Sequence, residues 1–116
     1  MIAGPLSAAA MAVLVVLIAD NGPEGFQQRY FQLHYDYEMA AQCGLVSGAV
    51  ERAFRAKRKT GDDSGAMSRD VLRSLRLNAY VAAAREYDNR GLGGHKQWCR
   101  TDAEAGVRRI LEMIHQ

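Results

Sequence analysis

The N-terminal segment constrains what this chain can fold into more than any other part of the sequence. Residues 2–19 carry no charge, and residues 8–19 form an unbroken apolar run that ends at Asp20. A helix over residues 2–19 would be about 27 Å long, just short of the ~30 Å hydrocarbon core of a bilayer. The sequence therefore predicts a hydrophobic N-terminal helix within residues 1–19 and a separate domain over residues 20–116.

Two main interpretations of residues 1–19 are open, a membrane anchor and a cleavable signal peptide. Ala19 is a small residue suited to precede a cleaved bond, which favours a signal peptide. Against cleavage, no Lys or Arg precedes the apolar run, and Leu17 lies where the cleavage pattern expects a small side chain. In both cases the remainder of the chain is expected to be exported. A buried helix of a soluble domain is the third alternative.

The two cysteines, Cys43 and Cys99, each lie next to the end of a predicted helix. An even number of cysteines behind an export segment predicts one disulfide, which would contribute roughly 4 kcal/mol by closing a loop of this length. A metal site that uses both thiols with His34 and His95 is the alternative. Because the sequence has no CxxC or HxxxH spacing, we expect the disulfide, with no metal and no cofactor.

Helical periodicity dominates the sequence after the N-terminal segment, and no run alternates long enough to predict a sheet. The pattern predicts helices over residues 26–42, 45–59 and 68–88, and a last helix that follows the capping-box residues Thr101 and Glu104. Gly44 suits the left-handed position that closes the first helix. The predicted fold is all-α: a hydrophobic N-terminal helix followed by a small four-helix bundle with one disulfide.

The first of these helices has apolar side chains on two sides. One row is expected to face the core and consists of Phe26, Tyr30, Leu33, Tyr37 and Ala41. A second row, Phe31, Tyr35 and Met39, lies on the opposite side and must also be covered. The cover is either another segment of the bundle, or lipid or a partner protein. If lipid or a partner protein covers the row, these three residues are the candidate partner-binding site.

A cluster of basic residues occupies the second helix, with Arg52, Arg55 and Lys59 roughly opposite its apolar side. The cluster is a candidate site for an anionic lipid surface or an acidic partner; the alternative is a solvated helix face. Nucleic acid is not an expected ligand, because 15 basic residues nearly balance 13 acidic ones over the chain.

The sequence contains no recognisable catalytic motif. The GxSxG, SxxK and HExxH patterns are missing, and the glycines around residues 91–94 lack the spacing of a phosphate-binding loop. Glu86 and Asp88 lie two residues apart and point away from each other. We therefore expect that the chain is not an enzyme.

One pattern resembles small exported two-cysteine helical proteins of Gram-negative bacteria. It consists of Cys43 and Gly44 closing an aromatic helix, then Asn89, Arg90 and Gly91, then Cys99 ahead of an amphipathic helix. The pattern covers about half of the chain. The resemblance implies export to the periplasm and a disulfide, and it implies no activity.

These observations favour a non-enzymatic accessory protein, tethered to the inner membrane by residues 2–19. Its periplasmic helical domain would dock on a larger membrane complex through Phe31, Tyr35 and Met39. The alternative hypothesis is a free periplasmic domain that binds a small apolar or anionic ligand between its helices.

Overall fold

The computed structural model describes residues 23–90 and 93–112. Within these residues all secondary structure is helical. The last helical segment, residues 94–112, is continuous and contains a π-helical turn in its middle. The elements are α1 (Pro23–Gln42), α2 (Gly48–Asp63), α3 (Arg69–Asp88), α4 (Gly94–Trp98), the π turn (Cys99–Ala103) and α5 (Glu104–Glu112). The predicted all-α fold with four helical segments is confirmed for these residues, whereas the predicted hydrophobic helix within residues 1–19 lies outside them.

Serine side chains cap the first turns of α2 and α3. The amide of Val50 donates to Ser47 Oγ, and the amide of Val71 donates to Ser68 Oγ, each over 3.2 Å. Both serines satisfy an amide that the first helical turn leaves unpaired. The predicted span of α3 is confirmed, whereas α2 begins three residues later than predicted.

The end of α2 differs from the prediction, which ended this helix at residue 59, whereas the helix runs to Asp63. The helix continues through Gly61 because the ring of Tyr30 on α1 packs against it: a methyl group at Gly61 would lie 2.9 Å from Tyr30 Cδ1. A tertiary contact therefore outweighs the weak helix propensity of glycine at this position.

The end of α1 has the geometry that the sequence predicts. Gly44 has a φ of +68°, the amide of Leu45 donates to the carbonyl of Ala40 over 2.8 Å, and the Gly44 amide donates to Ala41 over 3.2 Å. This left-handed closure turns the chain directly after Cys43.

The predicted disulfide between Cys43 and Cys99 is confirmed, with Cα atoms 5.5 Å apart. It joins the end of α1 to the π turn. Around it lies a buried cluster of Met39, Trp98 and Ala103. The covalent link and the cluster together hold the last helical segment against the C-terminal end of α1.

The last α-helix, α5, begins at Glu104 as predicted, but the predicted capping box is wrong. The chain is already helical from Gly94, and Thr101 Oγ1 donates to the carbonyl of Gln97 over 2.9 Å instead of capping a new helix. Trp98 supplies the physical reason, since its ring is 3% exposed and packs near Tyr87 of α3. The helical turn over residues 94–98 places Trp98 in this buried position.

Helix α1 lies in the middle of the domain, with α3 on one side and α2 and α5 on the other. Leu33 packs with Val50, Ala53, Phe54 and Ile110 in the core between α1, α2 and α5. Helix α3 contacts α1 and, at its C-terminal end, α4. Much of its surface is therefore left uncovered by the described elements.

The helices alternate in direction. Tyr30, near the start of α1, contacts Asp62 at the end of α2 and Arg76 in the first half of α3. Tyr87, near the end of α3, approaches Trp98 beside the disulfide. Consequently α1 and α3 run in the same direction, and the disulfide lies at the opposite end of the domain from Pro23.

An ion pair fixes α5 on α1. Asp36 is 1% exposed, and its carboxylate accepts hydrogen bonds from Arg109 Nε and Nη2 over 2.9 and 2.8 Å and from Gln32 Nε2 over 2.8 Å. The hydrogen bonds to Asp36 raise the pKa of Arg109. A methyl group at Gly106 would lie 3.0 Å from Asp36 Oδ1, so α5 approaches closely because this residue lacks a side chain.

We predict that Arg109→Leu lowers the free energy of unfolding by about 1–3 kcal/mol, because the Asp36 carboxylate stays buried without its cation, while the partial exposure of Arg109 and the remaining bond from Gln32 limit the loss. Arg108→Leu is the matched control: Arg108 is exposed on the same helix, and its loss should change stability by less than about 0.5 kcal/mol. Urea unfolding followed by circular dichroism measures both. Equal effects of the two substitutions would contradict the assigned role of the ion pair.

Candidate functional site

The three residues predicted to bind a partner lie in one row on α1 but differ in exposure, and the rings of Phe31 and Tyr35 stack with centroids 6.0 Å apart. Phe31 is half-buried beside Leu75 in a groove between α1 and α3, and Tyr35 is half-buried against the cluster around the disulfide. Met39 is 1% exposed and belongs to the core. The expectation that Met39 contacts a partner is therefore wrong, because the last helical segment already covers it. The bundle covers Met39, whereas Phe31 and Tyr35 keep part of their surface, so their contact with a partner stays a prediction.

The basic residues predicted on α2 are exposed, and two of them are paired along the helix. Arg55 Nη2 lies 2.6 Å from Glu51 Oε1, and Lys59 Nζ lies 2.7 Å from Asp63 Oδ2. The hydrogen bond to Asp63 raises the pKa of Lys59. Because these acidic neighbours lie within one helical turn, this face of α2 has the character of a solvated surface. Arg52 is exposed near the start of the same helix.

A different apolar surface lies on the outer side of α3, and we call it the α3 stripe. Leu77 is 60% exposed and Tyr80 is 54% exposed, and half-buried Val81 and Ala84 complete the stripe. The spacing i, i+3, i+4, i+7 places these four residues on one helical face. Leu72, Ala79 and Ala83 are the buried residues of the same helix, and they occupy another face.

Sequence reasoning missed the α3 stripe. The signal was available, since residues 77–84 contain a second apolar set at helical spacing beside the row that packs inward. An apolar helix face reads the same in a sequence whether its own domain covers it or leaves it open. The open face becomes evident only from the packing, in which α3 lies at the edge of the bundle.

A polar network joins three helices at the end of the domain where α1 begins. Tyr30 OH donates to Asp62 Oδ1 over 2.6 Å, Arg76 Nη1 donates to Tyr30 OH over 3.0 Å, and Arg58 Nε lies 3.4 Å from Asp62 Oδ2. Burial and the hydrogen bond to Asp62 raise the pKa of Tyr30. The phenol is therefore protonated at neutral pH and acts as a donor that connects α1 with α2 and α3.

His34 lies beside this network and is 4% exposed. Its ring lies 4.5 Å from the ring of Tyr30 and 5.0 Å from the ring of Phe54, measured between centroids, and its Nε2 has no hydrogen-bond partner among the described residues. Burial, followed by the positive charges of Arg58 and Arg76, lowers the pKa of His34 to about 4. At neutral pH the ring is uncharged and behaves as part of the core.

The structure excludes the metal site that would use both thiols, because Cys43 and Cys99 are bonded to each other. His95 lies instead beside Tyr87, with ring centroids 5.0 Å apart. Over residues 23–90 and 93–112, no three side chains among His, Cys, Asp and Glu are grouped as metal ligands.

The described residues form several open cavities, and one of about 560 Å³ beside Phe31 and Leu75 is otherwise lined by polar side chains of α1. An open cavity of about 290 Å³ lies between α1 and α2, lined in part by Phe26, Tyr30, Leu33 and Met67. Ligand pockets usually have volumes of roughly 300–1,000 Å³ and enclose most of the ligand surface. This cavity is therefore at the lower limit for the ligand-binding alternative. None of the described helices is long and apolar enough to cross a bilayer.

We predict that His34 makes the domain less stable in mild acid. Its pKa is about 4 in the folded protein against 6.5 when exposed, so between these values the unfolded chain binds the proton and the folded chain does not. The contribution of His34 to the free energy of unfolding should fall by about 2 kcal/mol between about pH 7 and pH 5. Urea unfolding of the native chain and of His34→Leu at both pH values isolates this contribution. Identical pH dependence of the two proteins would contradict the prediction.

The functional interpretation of the α3 stripe and of the polar network depends on contacts within this chain. No protein-family model matches the chain, and the comparisons find neither a similar curated protein nor a similar solved structure.

Proposed function

We propose that this chain is a non-enzymatic accessory protein whose exported helical domain, tethered to the membrane by residues 2–19, docks on a larger membrane complex through the α3 stripe. The observation that carries the proposal is the exposure of Leu77 and Tyr80, 60% and 54%, on a helix at the edge of the bundle.

Export is supported by the disulfide between Cys43 and Cys99. Disulfides persist in oxidising compartments and are rare in the cytosol, where thiols are kept reduced. The uncharged segment over residues 2–19 adds the second support, since its length suits an export signal or a short anchor. The resemblance to small exported two-cysteine helical proteins agrees with both.

Docking through the α3 stripe is supported by the packing of the domain. Helix α3 packs on α1 and the end of α4, whereas its outer side faces solvent. Leu77 and Tyr80 are the large side chains there. An aromatic ring next to an aliphatic side chain is a common centre of protein interfaces, because both lose apolar surface to water on binding. The partner that fits this stripe is an apolar helix or groove.

The position of the stripe suits a partner in the same membrane. Helix α1 begins at Pro23, four residues after the apolar run ends at Ala19. Because α3 runs in the same direction as α1, the stripe extends from about 12 to about 22 Å along α3 at 1.5 Å per residue. It therefore lies on the side of the tethered domain, where a protein that projects from the membrane would meet it.

We predict that a photo-reactive amino acid at position 80 forms a covalent adduct with a membrane protein in native membranes, whereas the same group at Arg108 does not. Arg108 is the matched control because it is exposed on α5, away from the stripe. Leu77→Glu should abolish the adduct at position 80 while thermal unfolding changes little, because Leu77 is largely exposed. Equal adducts at both positions, or none at position 80, would contradict docking through the stripe.

A second prediction tests export and tethering together. The intact mass of the native protein should include residues 2–19, because an anchor is retained. Alkylation without reductant should add no mass, because both thiols form the disulfide. A measured mass that lacks residues 1–19 would contradict the tether and favour a free exported domain. Two alkylated cysteines in the native protein would argue against export.

A further inference from the structure

Charge is distributed unevenly along the domain. Among the described residues, the end where α1 begins comprises residues 24–32, 55–63 and 69–78, which hold eight basic and four acidic side chains. The end with the disulfide comprises residues 33–54, 79–90 and 93–107, which hold five basic and seven acidic ones, and residues 108–112 between the two ends add two basic and one acidic side chain, with Arg109 paired to Asp36. The positive end is the one from which the chain continues toward residues 2–19.

A groove between α2 and α3 concentrates this positive charge. It has a volume of about 320 Å³, and its charged lining consists of Arg58, Arg69, Arg73 and Arg76 with Asp62 and Asp63.

Both aspartates of the groove are already paired. Asp62 accepts from Tyr30 and lies near Arg58 and Arg76, and Asp63 accepts from Lys59.

Arg69 and Arg73 are the remaining cations of the groove. Both are exposed, and neither takes part in the ion pairs of the described residues. They are spaced one helical turn apart on α3, so both guanidinium groups can approach one anion. Asp70 lies between them on α3 but does not line the groove, so the two arginines make the groove electrostatically suited to an anionic group such as a phosphate.

Apolar side chains flank the same end of the domain. Phe26 is 40% exposed on the first turns of α1, with the Arg29 guanidinium 4.8 Å from its ring centroid. Met67, in the connection from α2 to α3, is half-buried. Exposed aromatic rings and long cationic side chains next to an apolar segment are typical of a membrane–water interface.

We infer that this end of the domain rests on a bilayer and that the groove between α2 and α3 binds the phosphate of an anionic lipid headgroup through Arg69 and Arg73. The inference rests on the proposed tether, because residues 2–19 would bring the positive end to the bilayer surface. Charge complementarity selects the occupant: a neutral bilayer gives the groove no net attraction, whereas each basic side chain near an anionic surface strengthens binding about five-fold. Contact with headgroups would also orient the α3 stripe toward neighbouring membrane proteins.

The test measures partition of the full chain into vesicles at limiting lipid. One set contains phosphatidylcholine alone, and the other contains phosphatidylcholine with phosphatidylglycerol. The variant Arg69→Gln/Arg73→Gln should lower the preference for the anionic vesicles about 25-fold. The matched control is Arg85→Gln/Arg100→Gln, which removes the same charge from exposed positions at the other end of the domain and should keep the preference. Added salt should weaken the preference of the native chain.

The outcomes separate this inference from the proposed tether. Binding to phosphatidylcholine alone reports insertion of the apolar segment, so its absence contradicts the tether. The ratio between the two kinds of vesicle reports headgroup binding. A ratio near one, or equal losses in the two double variants, overturns the inference. Inorganic phosphate at millimolar concentration should leave the ratio between anionic and neutral vesicles unchanged; a fall of the ratio toward one would identify a free anion as the ligand and overturn the lipid assignment.

Discussion

The buried carboxylate of Asp36 sets a condition that the rest of the structure must meet. A charged group almost free of solvent is tolerated when a cation and further donors satisfy it, and here Arg109 and Gln32 do so. Since Arg109 belongs to α5, this helix must lie along the middle of α1. Cys43, seven residues after Asp36, binds the π turn covalently. One helix therefore fixes the last segment at two points, and the apolar core fills the space between them.

The sequence predicts those parts of the fold that short-range chemistry determines. Ser68 begins α3, Gly44 ends α1, and the two cysteines pair, each for a reason that involves only neighbouring residues or residue count. The errors lie where distant packing decides. A helical turn already precedes Thr101 and buries Trp98, and the Tyr30 ring extends α2 through Gly61. Local patterns cannot report these contacts, because the partner lies on another helix.

The candidate site shows the same division. Periodicity correctly indicates that Phe31, Tyr35 and Met39 form a row that needs cover, but it does not say what covers them. The answer depends on where α3 and the last helical segment lie. The same periodicity in α3 yields Leu77 and Tyr80, which no described element covers. In the proposed function, the disulfide end points away from the membrane, the positive end faces it, and the α3 stripe lies on the side.

The π turn has a consequence for how the length of this segment can vary. Such a turn accommodates one residue more than an α-helical turn, and each residue rotates a helix by roughly 100°. Removing one position from residues 100–102 would turn the π turn into an α turn and keep the angular phase between Cys99 and Arg109 nearly unchanged. The sulfur link and the contact with Asp36 would then both be kept. Removing one position from residues 104–108, where the helix is already α-helical, would rotate Arg109 by roughly 100° and separate it from Asp36.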